Sequence, residues 1–240
     1  MNLDSIKIIK EPSENLPFVV CDKPSGIPSA PLSAEDCENA LSYVCKLFPS
    51  CNNVMGKKSI EKGLVHRIDT VTRGLLLVAQ NQSFYDYMLS LQDKDGFSKK
   101  YRALCFMEKQ FKAGEDFSIT SYFRPYGEGH KMVKPVFENE GGYAIKKVGK
   151  KVLYTTQVKI LSVNQADNSC EVECEIVKGF RHQVRSHLSE CGLPVFNDPL
   201  YGKGHKKNPL SSKVFFEATG ICFEYPKGDL NSYEIAPTWT

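Results

Sequence analysis

From residue 101 onward the chain reads as one strand after another, and that succession most limits the folds open to it. Segments 101–107, 154–163 and 171–177 follow in order with strand character, and 221–225 and 232–235 close the chain. In "CEVECEIV" the alternation is complete. Cys170, Val172, Cys174 and Ile176 fall on one face and Glu171, Glu173 and Glu175 on the other, as a period of two requires. Strands arriving in succession, rather than in strict alternation with helices, predict a mixed, mainly antiparallel central sheet with flanking helices. The expected fold class is α+β.

Helical patterns are few. Residues 40–48 carry Ala40, Leu41, Val44, Leu47 and Phe48 as an apolar stripe, and residues 83–91 place Phe84, Tyr87, Met88 and Leu91 together. A third helix is predicted from about 181 to 191, with Val184, Leu188 and Cys191 inward and Gly192 and Pro194 as its stop. Upstream, "FVVC" at 18–21 reads as a short strand running into the turn-rich "DKPSGIPSAP", and residues 75–79 read as a buried strand. No repeat or long linker interrupts the 240 residues, enough for one large or two small domains.

Bulk properties remove several classes. Apolar content of 41% with 25% charged residues fits a soluble globular chain, and no apolar run approaches the roughly 20 residues that span a bilayer. The start, "MNLDSIKIIKEP", lacks an apolar signal core. The expectation is a cytoplasmic protein with no membrane partner. Nine scattered cysteines without a CxxC pair read as reduced, mostly buried thiols.

Familiar enzyme templates are missing: there is no GxSxG elbow, P-loop, HExxH or EF-hand loop. The lone GxG in "YGKGHKK" is a turn. His182 and His187 are five apart and do not share a helical face, so no metal is expected. The net charge of +3 does not itself announce a nucleic-acid partner. Paired lysines at 57–58, 99–100, 146–147 and 150–151, with "KGHKK" at 203–207, are more suggestive of one.

Three segments carry the unexplained chemistry. "HRIDTVTRG" sets His66, Arg67, Asp69, Thr72 and Arg73 directly before the buried strand. Alone it would be a solvated loop. "SKKYRALC" opens a strand with Tyr101 after Lys99 and Lys100, and a strand tyrosine is more often packing than chemistry. "KGFRHQVRSHLSECGLPVFNDPLYG" places Arg181 and Arg185 four apart, so that they share a face near the start of the third helix, with His182 and Gln183 beside them. That grouping at a helix start is a plausible anion site, and "NDPLYG" reads as turn chemistry.

Taken in order, these segments resemble the RluA-like family of RNA pseudouridine synthases, whose signatures run HRLDxxTSG, KxYxA, GRxHQIRxHL and GxPxxGDxxYG. "FVVCDKPSGIP" is similar to that family's early VxDKPxGxxxH segment, and "YTTQVKIL" to the strand before its third motif. The resemblance runs from about residue 17 to 236. It implies a pseudouridine synthase catalytic domain over 17–240 after a lead-in of 1–16, with no S4 domain. It further implies a reaction without a cofactor, on specific uridines of structured RNA, ribosomal or transfer, by a monomer.

The resemblance also assigns roles. Asp69 matches the catalytic carboxylate, which acts on the ribose covalently or at C2′. Tyr101 matches the tyrosine that stacks on the target base, and Arg185 the arginine that pairs with the aspartate. A nearby arginine lowers a carboxyl pKa by about 1–3 units, against the upward push of burial. Arg67 matches the arginine that helps extrude the base, a step needed because C1′ is out of reach in a stacked helix. RNA contacts are expected from Arg67, Thr72, Arg73, Lys99, Lys100, Lys178, Arg181, His182 and Gln183. Three departures stand out: Arg73 for serine, Lys178 for threonine, and Phe180-Arg181 where the family has arginine first. The alternatives are a catalytically inactive RNA-binding module of the same fold, or a hydrolase using His66 and Asp69.

Overall fold

The computed structural model describes residues 3–140, 145–146, 148, 151–207 and 213–239. Lys147 and Lys150 of the expected lysine pairs lie outside that set. The chain divides into two compact units, one of Met1–Lys99 with Glu217–Thr240, the other of Lys100–Phe216.

In the first unit β1 (Lys7–Lys10), β2 (Phe18–Lys23) and β3 (Arg73–Ala79) pair antiparallel in that order. β9 (Phe216–Glu224), nearly all of it in this unit, runs parallel to β3, and β10 (Leu230–Glu234) returns antiparallel on β9. Thus the stretch before residue 17 contributes a strand of its own. β2 and β3 are buried almost throughout, which is why they read as apolar runs rather than alternating ones. Gly74 fits the β3–β9 pairing because a Cβ there would lie 2.1 Å from the carbonyl oxygen of Ala218. No other residue allows that approach.

Helices α1 (Ala40–Leu47) and α2 (Gln82–Asp93) each start on an asparagine cap. The Asn39 side chain accepts from Ser42 N and that of Asn81 from Phe84 N, both at 2.9 Å. The buried face of α2 is Phe84, Tyr85 and Met88, with Tyr87 and Leu91 only packed against its edge. Phe84 stacks on Phe18 at 4.8 Å and both are fully buried. Burying each such side chain contributes about 1.5–3 kcal/mol. Cys45 and Cys51 lie side by side, their Cα atoms 5.6 Å apart.

In the second unit the strands lie in the order β4 (Phe97–Phe106), β8 (Ser169–Ile176), β7 (Tyr154–Asn164), β5 (Asp116–Tyr126) and β6 (Met132–Val136). The β8–β7, β7–β5 and β5–β6 pairs are antiparallel. The mixed, mainly antiparallel α+β reading holds. Cys170 and Cys174 are 2% and 1% exposed, as the alternation predicts, and burial pushes the Cys170 thiol up to about 12. The third helix, α3 (Gln183–Glu190), packs against β6 and β7.

Two expectations need correction. α3 begins at Gln183, not Arg181, because His182 sits in the left-handed region at φ 56. Arg181 therefore lies outside the helix and shares no helical face with Arg185. β4 begins four residues earlier than expected, so Lys99 and Lys100 are strand residues, with Lys99 on the buried side. Among the described residues no helix is long and apolar enough to cross a membrane.

Candidate active site

In the first unit Asp69 lies on the loop that leads into β3, and that loop is held along its length by the "DKPSGIPS" turn. Ser29 Oγ donates to Ile68 O at 2.7 Å and accepts from Ile68 N at 3.2 Å. Gly26 N donates to Thr70 O at 2.7 Å, and Ser25 Oγ to Val71 O at 2.6 Å. Thr72 N closes a turn on Asp69 O at 3.0 Å. Ile68 is buried while Asp69 remains half-exposed. The backbone around Asp69 is thereby fixed.

Lys23, which the sequence reading passed over, completes that grip. It is fully buried, and its Nζ donates to Ile27 O at 2.7 Å, Pro24 O at 2.9 Å and Thr70 O at 3.4 Å. Burial pulls its pKa down to about 7, and the charge of Asp69 opposes that fall. The signal was available, since Lys23 stands inside the quoted "DKPSG".

The remaining candidates of this unit divide sharply. Arg67 is exposed and pairs with Glu61 at 2.9 Å. Arg73 is engaged on every side: its guanidinium reaches Asp22 and Glu217 at 2.6 Å each and Ala236 O at 3.2 Å. The oxygens of Glu217 in turn accept from Thr238 N and Oγ1. The arginine that replaces the family serine thus ties β2, β3 and β9 to residues 236–238. Thr72 is 1% exposed. Lys99 is 6% exposed, its Nζ lies 4.4 Å over the Phe97 ring, and burial lowers its pKa to about 8. His66 meets the Phe97 ring edge-on at 5.1 Å. Both its ring nitrogens are shut off from solvent without a partner among the described residues. Burial, helped by Lys99, lowers its pKa to about 3 and keeps it neutral.

In the second unit Tyr101 is 7% exposed and its ring lies parallel on Phe216 at 5.1 Å. Lys100, its neighbour in β4, is half-buried. Arg185 is 2% exposed and forms a fork–fork pair with Asp198, through Nε and Nη2, both at 2.7 Å. Two parallel charge-assisted bonds fix the guanidinium plane as well as its position. Asp198 Oδ1 also accepts from Leu200 N and Tyr201 N, so "NDPLYG" is both a turn and the seat of Arg185. Gly202 is required there, because a Cβ would lie 2.6 Å from Asp198 O.

Around α3, Gln183 is turned inward. Its side chain accepts from Phe180 N at 2.9 Å and donates to Thr155 O at 3.0 Å. His182 Nδ1 lies 3.1 Å from Tyr201 Oη. Phe180 stacks on Phe123 at 5.0 Å, and Arg181 donates to His130 O at 2.6 Å and Met132 O at 3.1 Å. Lys178 is exposed. His187 sits between Ser121 Oγ and Thr156 Oγ1 at 2.9 Å each, and burial lowers its pKa to about 3. Among the described residues no group of three or more His, Cys, Asp or Glu could hold a metal ion.

A family model described as RNA pseudouridylate synthase matches residues 17–190. An uncharacterized RNA pseudouridine synthase of Mycoplasma genitalium is 28% identical over 214 residues, covering 89% of this chain and 61% of that protein. The ribosomal large subunit pseudouridine synthase D of Zymomonas mobilis is 26% identical over 193 residues, covering 79% of this chain and 54% of its own. The solved structure of human RNA pseudouridylate synthase domain-containing 1 superposes with a TM-score of 0.71 at 18% identity. It covers 98% of this chain and 85% of the human one, a likeness of fold. The chain spans less than two thirds of the length of both curated relatives.

Proposed function

The chain belongs to the RluA-like family of RNA pseudouridine synthases, and on that premise we propose that it isomerises specific uridines of structured ribosomal or transfer RNA, with Asp69 as the catalytic carboxylate. In that reaction the N1–C1′ bond breaks, the uracil turns, and a C1′–C5 bond forms. The C5 proton leaves and N1 gains one, so composition is unchanged and no group is transferred. What the protein must supply is a carboxylate beside the ribose and a place to hold the detached base.

The observation that carries the reading is the state of the Asp69 loop. Half-buried Asp69 stands on a backbone whose neighbouring carbonyls, at Ile68, Thr70 and Val71, are each bonded by the 23–29 turn. Fixing the carboxylate before the substrate arrives removes that ordering cost from the reaction. The charge of Asp69 favours the protonated form of buried Lys23 beside this loop. Tyr101 is assigned to stack on the base and Arg185 to support the carboxylate. Its fixed fork with Asp198 suits a positioned charge rather than a flexible one.

Arg67, Lys100 and Lys178 remain suited to phosphate. Thr72, Arg73, Lys99 and Gln183 are buried or bonded within their own unit, and fit a structural role better. Release of tritium from RNA carrying 5-tritiated uridine, with the chain left intact, tests the activity. Wild-type protein should release tritium and Asp69→Asn should not. Binding without release would mark an RNA-binding module, and a shortened RNA or free base would mark a hydrolase.

A further inference from the structure

The hairpin of β5 and β6 presents an outer face that no step of the proposed reaction uses. Arg124 and Lys134 are direct cross-strand partners, and Tyr126 pairs with Met132. Residues opposite one another share a face, so Arg124, Tyr126, Met132 and Lys134 all point to the same side. Tyr126 is 46% exposed, and the Arg124 guanidinium lies 5.4 Å from its ring centre. Lys131 is exposed on the connecting turn. Among the described residues no carboxylate pairs with Arg124, Lys131 or Lys134. The acids nearest to them in sequence are Glu128, exposed on the turn, and Glu138, four residues beyond Lys134, which accepts from Tyr122 Oη at 3.3 Å.

Two cations directly opposite on a hairpin destabilise it. β6 is the edge strand of its unit, and a lysine there would serve to discourage pairing with other chains. That need explains neither the arginine facing it nor the exposed tyrosine beside it. The rear of the hairpin, by contrast, is firmly seated. Val133 is 3% exposed, its N–H and C=O both meet Tyr201 Oη, and its carbonyl also accepts from Ser186 Oγ. Arg181 braces the turn through the carbonyls of His130 and Met132. A rigid support thus holds up cations that pair with no carboxylate among the described residues, around an aromatic ring. Cationic grooves with aromatic platforms are how proteins hold single-stranded nucleic acid.

We propose that the outer face of the β5–β6 hairpin is a second RNA-contact surface, on which Arg124 and Lys134 take phosphates and Tyr126 stacks on an unpaired base. The inference rests on the reading of the chain as an RNA enzyme. It makes Arg181 a positioning residue for the hairpin turn.

The test is binding of a fluorescein-labelled 20-nucleotide oligouridylate by anisotropy, over a range of KCl, for wild type, Arg124→Gln/Lys134→Gln and Tyr126→Ala. The double variant should bind about five- to tenfold more weakly. Its log–log salt slope should fall by about 1.4, two contacts at about 0.7 each. Its melting temperature should be unchanged or higher, because the cross-strand repulsion is gone. Tyr126→Ala should lose about tenfold. Affinities within twofold of wild type with the same slope would overturn the proposal, as would a loss accompanied by a fall in melting temperature. Equal displacement of the RNA by polyglutamate from wild type and Tyr126→Ala would also overturn it, by showing a site for any polyanion. A wild type that isomerises RNA but whose hairpin variants bind normally refutes this inference alone. A wild type that binds no RNA refutes the functional reading as well.

Discussion

Asp198→Asn should cost the protein about 3 kcal/mol. The Arg185–Asp198 pair is almost wholly removed from water, with side chains 2% and 0% exposed. Removing one partner of such a pair costs about 3–5 kcal/mol, because the other charge is left buried and uncompensated. The asparagine oxygen can still accept from Leu200 N and Tyr201 N, which Asp198 Oδ1 serves at 2.9 and 3.1 Å, so the lower end applies. Against a total stability of about 5–15 kcal/mol the loss is large. Equilibrium urea unfolding followed by circular dichroism reads it directly as a lower midpoint at constant slope. Arg185→Met/Asp198→Leu should be less damaged than Arg185→Met alone, since no unpaired charge remains. A cost below about 1 kcal/mol for Asp198→Asn, or a double variant as unstable as the sum of the singles, would refute the description of this pair.

Arg73→Ser, which restores the family residue, leaves Asp22 and Glu217 without their shared cation. It should cost about 1–3 kcal/mol in the same assay, and Tm should fall accordingly. His187, held neutral by burial with its pKa near 3, binds fewer protons folded than unfolded between about pH 3 and 6.5. Its contribution is complete above pH 6.5 and is lost as the pH falls, by about 1.4 kcal/mol per unit. The stability profile of His187→Asn should therefore be flatter over pH 4–6.5, and an unchanged slope would count against that assignment. Arg181→Ala should free the 127–132 turn to faster amide exchange, and equal protection would show that its bonds to His130 and Met132 do not brace it. The purified protein should release tritium in excess EDTA with no added nucleotide, and restoration only by a divalent metal would contradict the reaction as written.

Much of this was legible from local pattern. The buried strand before residue 80, the Cys170–Ile176 alternation and the stop of α3 at Gly192 follow from neighbours a few residues apart. β6 is only five residues long and Pro135 breaks its strand signal, whereas the alternation of Phe117, Ile119 and Phe123 in β5 was legible and was missed. Pro135 is tolerated because β6 is an edge strand, and Pro125 because β7 pairs β5 only over Asp116–Ser121. The start of α3 was misplaced because a histidine in the left-handed region carries no compositional mark. Side-chain partners were least accessible of all. Nothing near Arg73 in the chain points to Glu217, 144 residues away. Lys23 was hidden differently: it lay within a quoted motif, but a lysine reads as surface until its burial is seen.

The most direct test of Asp69-dependent isomerisation is a pseudouridine map of total RNA from cells lacking this gene, and from the same cells supplied with wild-type or Asp69→Asn protein. The account predicts that one or a few uridines in ribosomal or transfer RNA lose their modification. They should regain it with the wild type alone. A map that does not change, or one that Asp69→Asn restores as fully as the wild type, would contradict it.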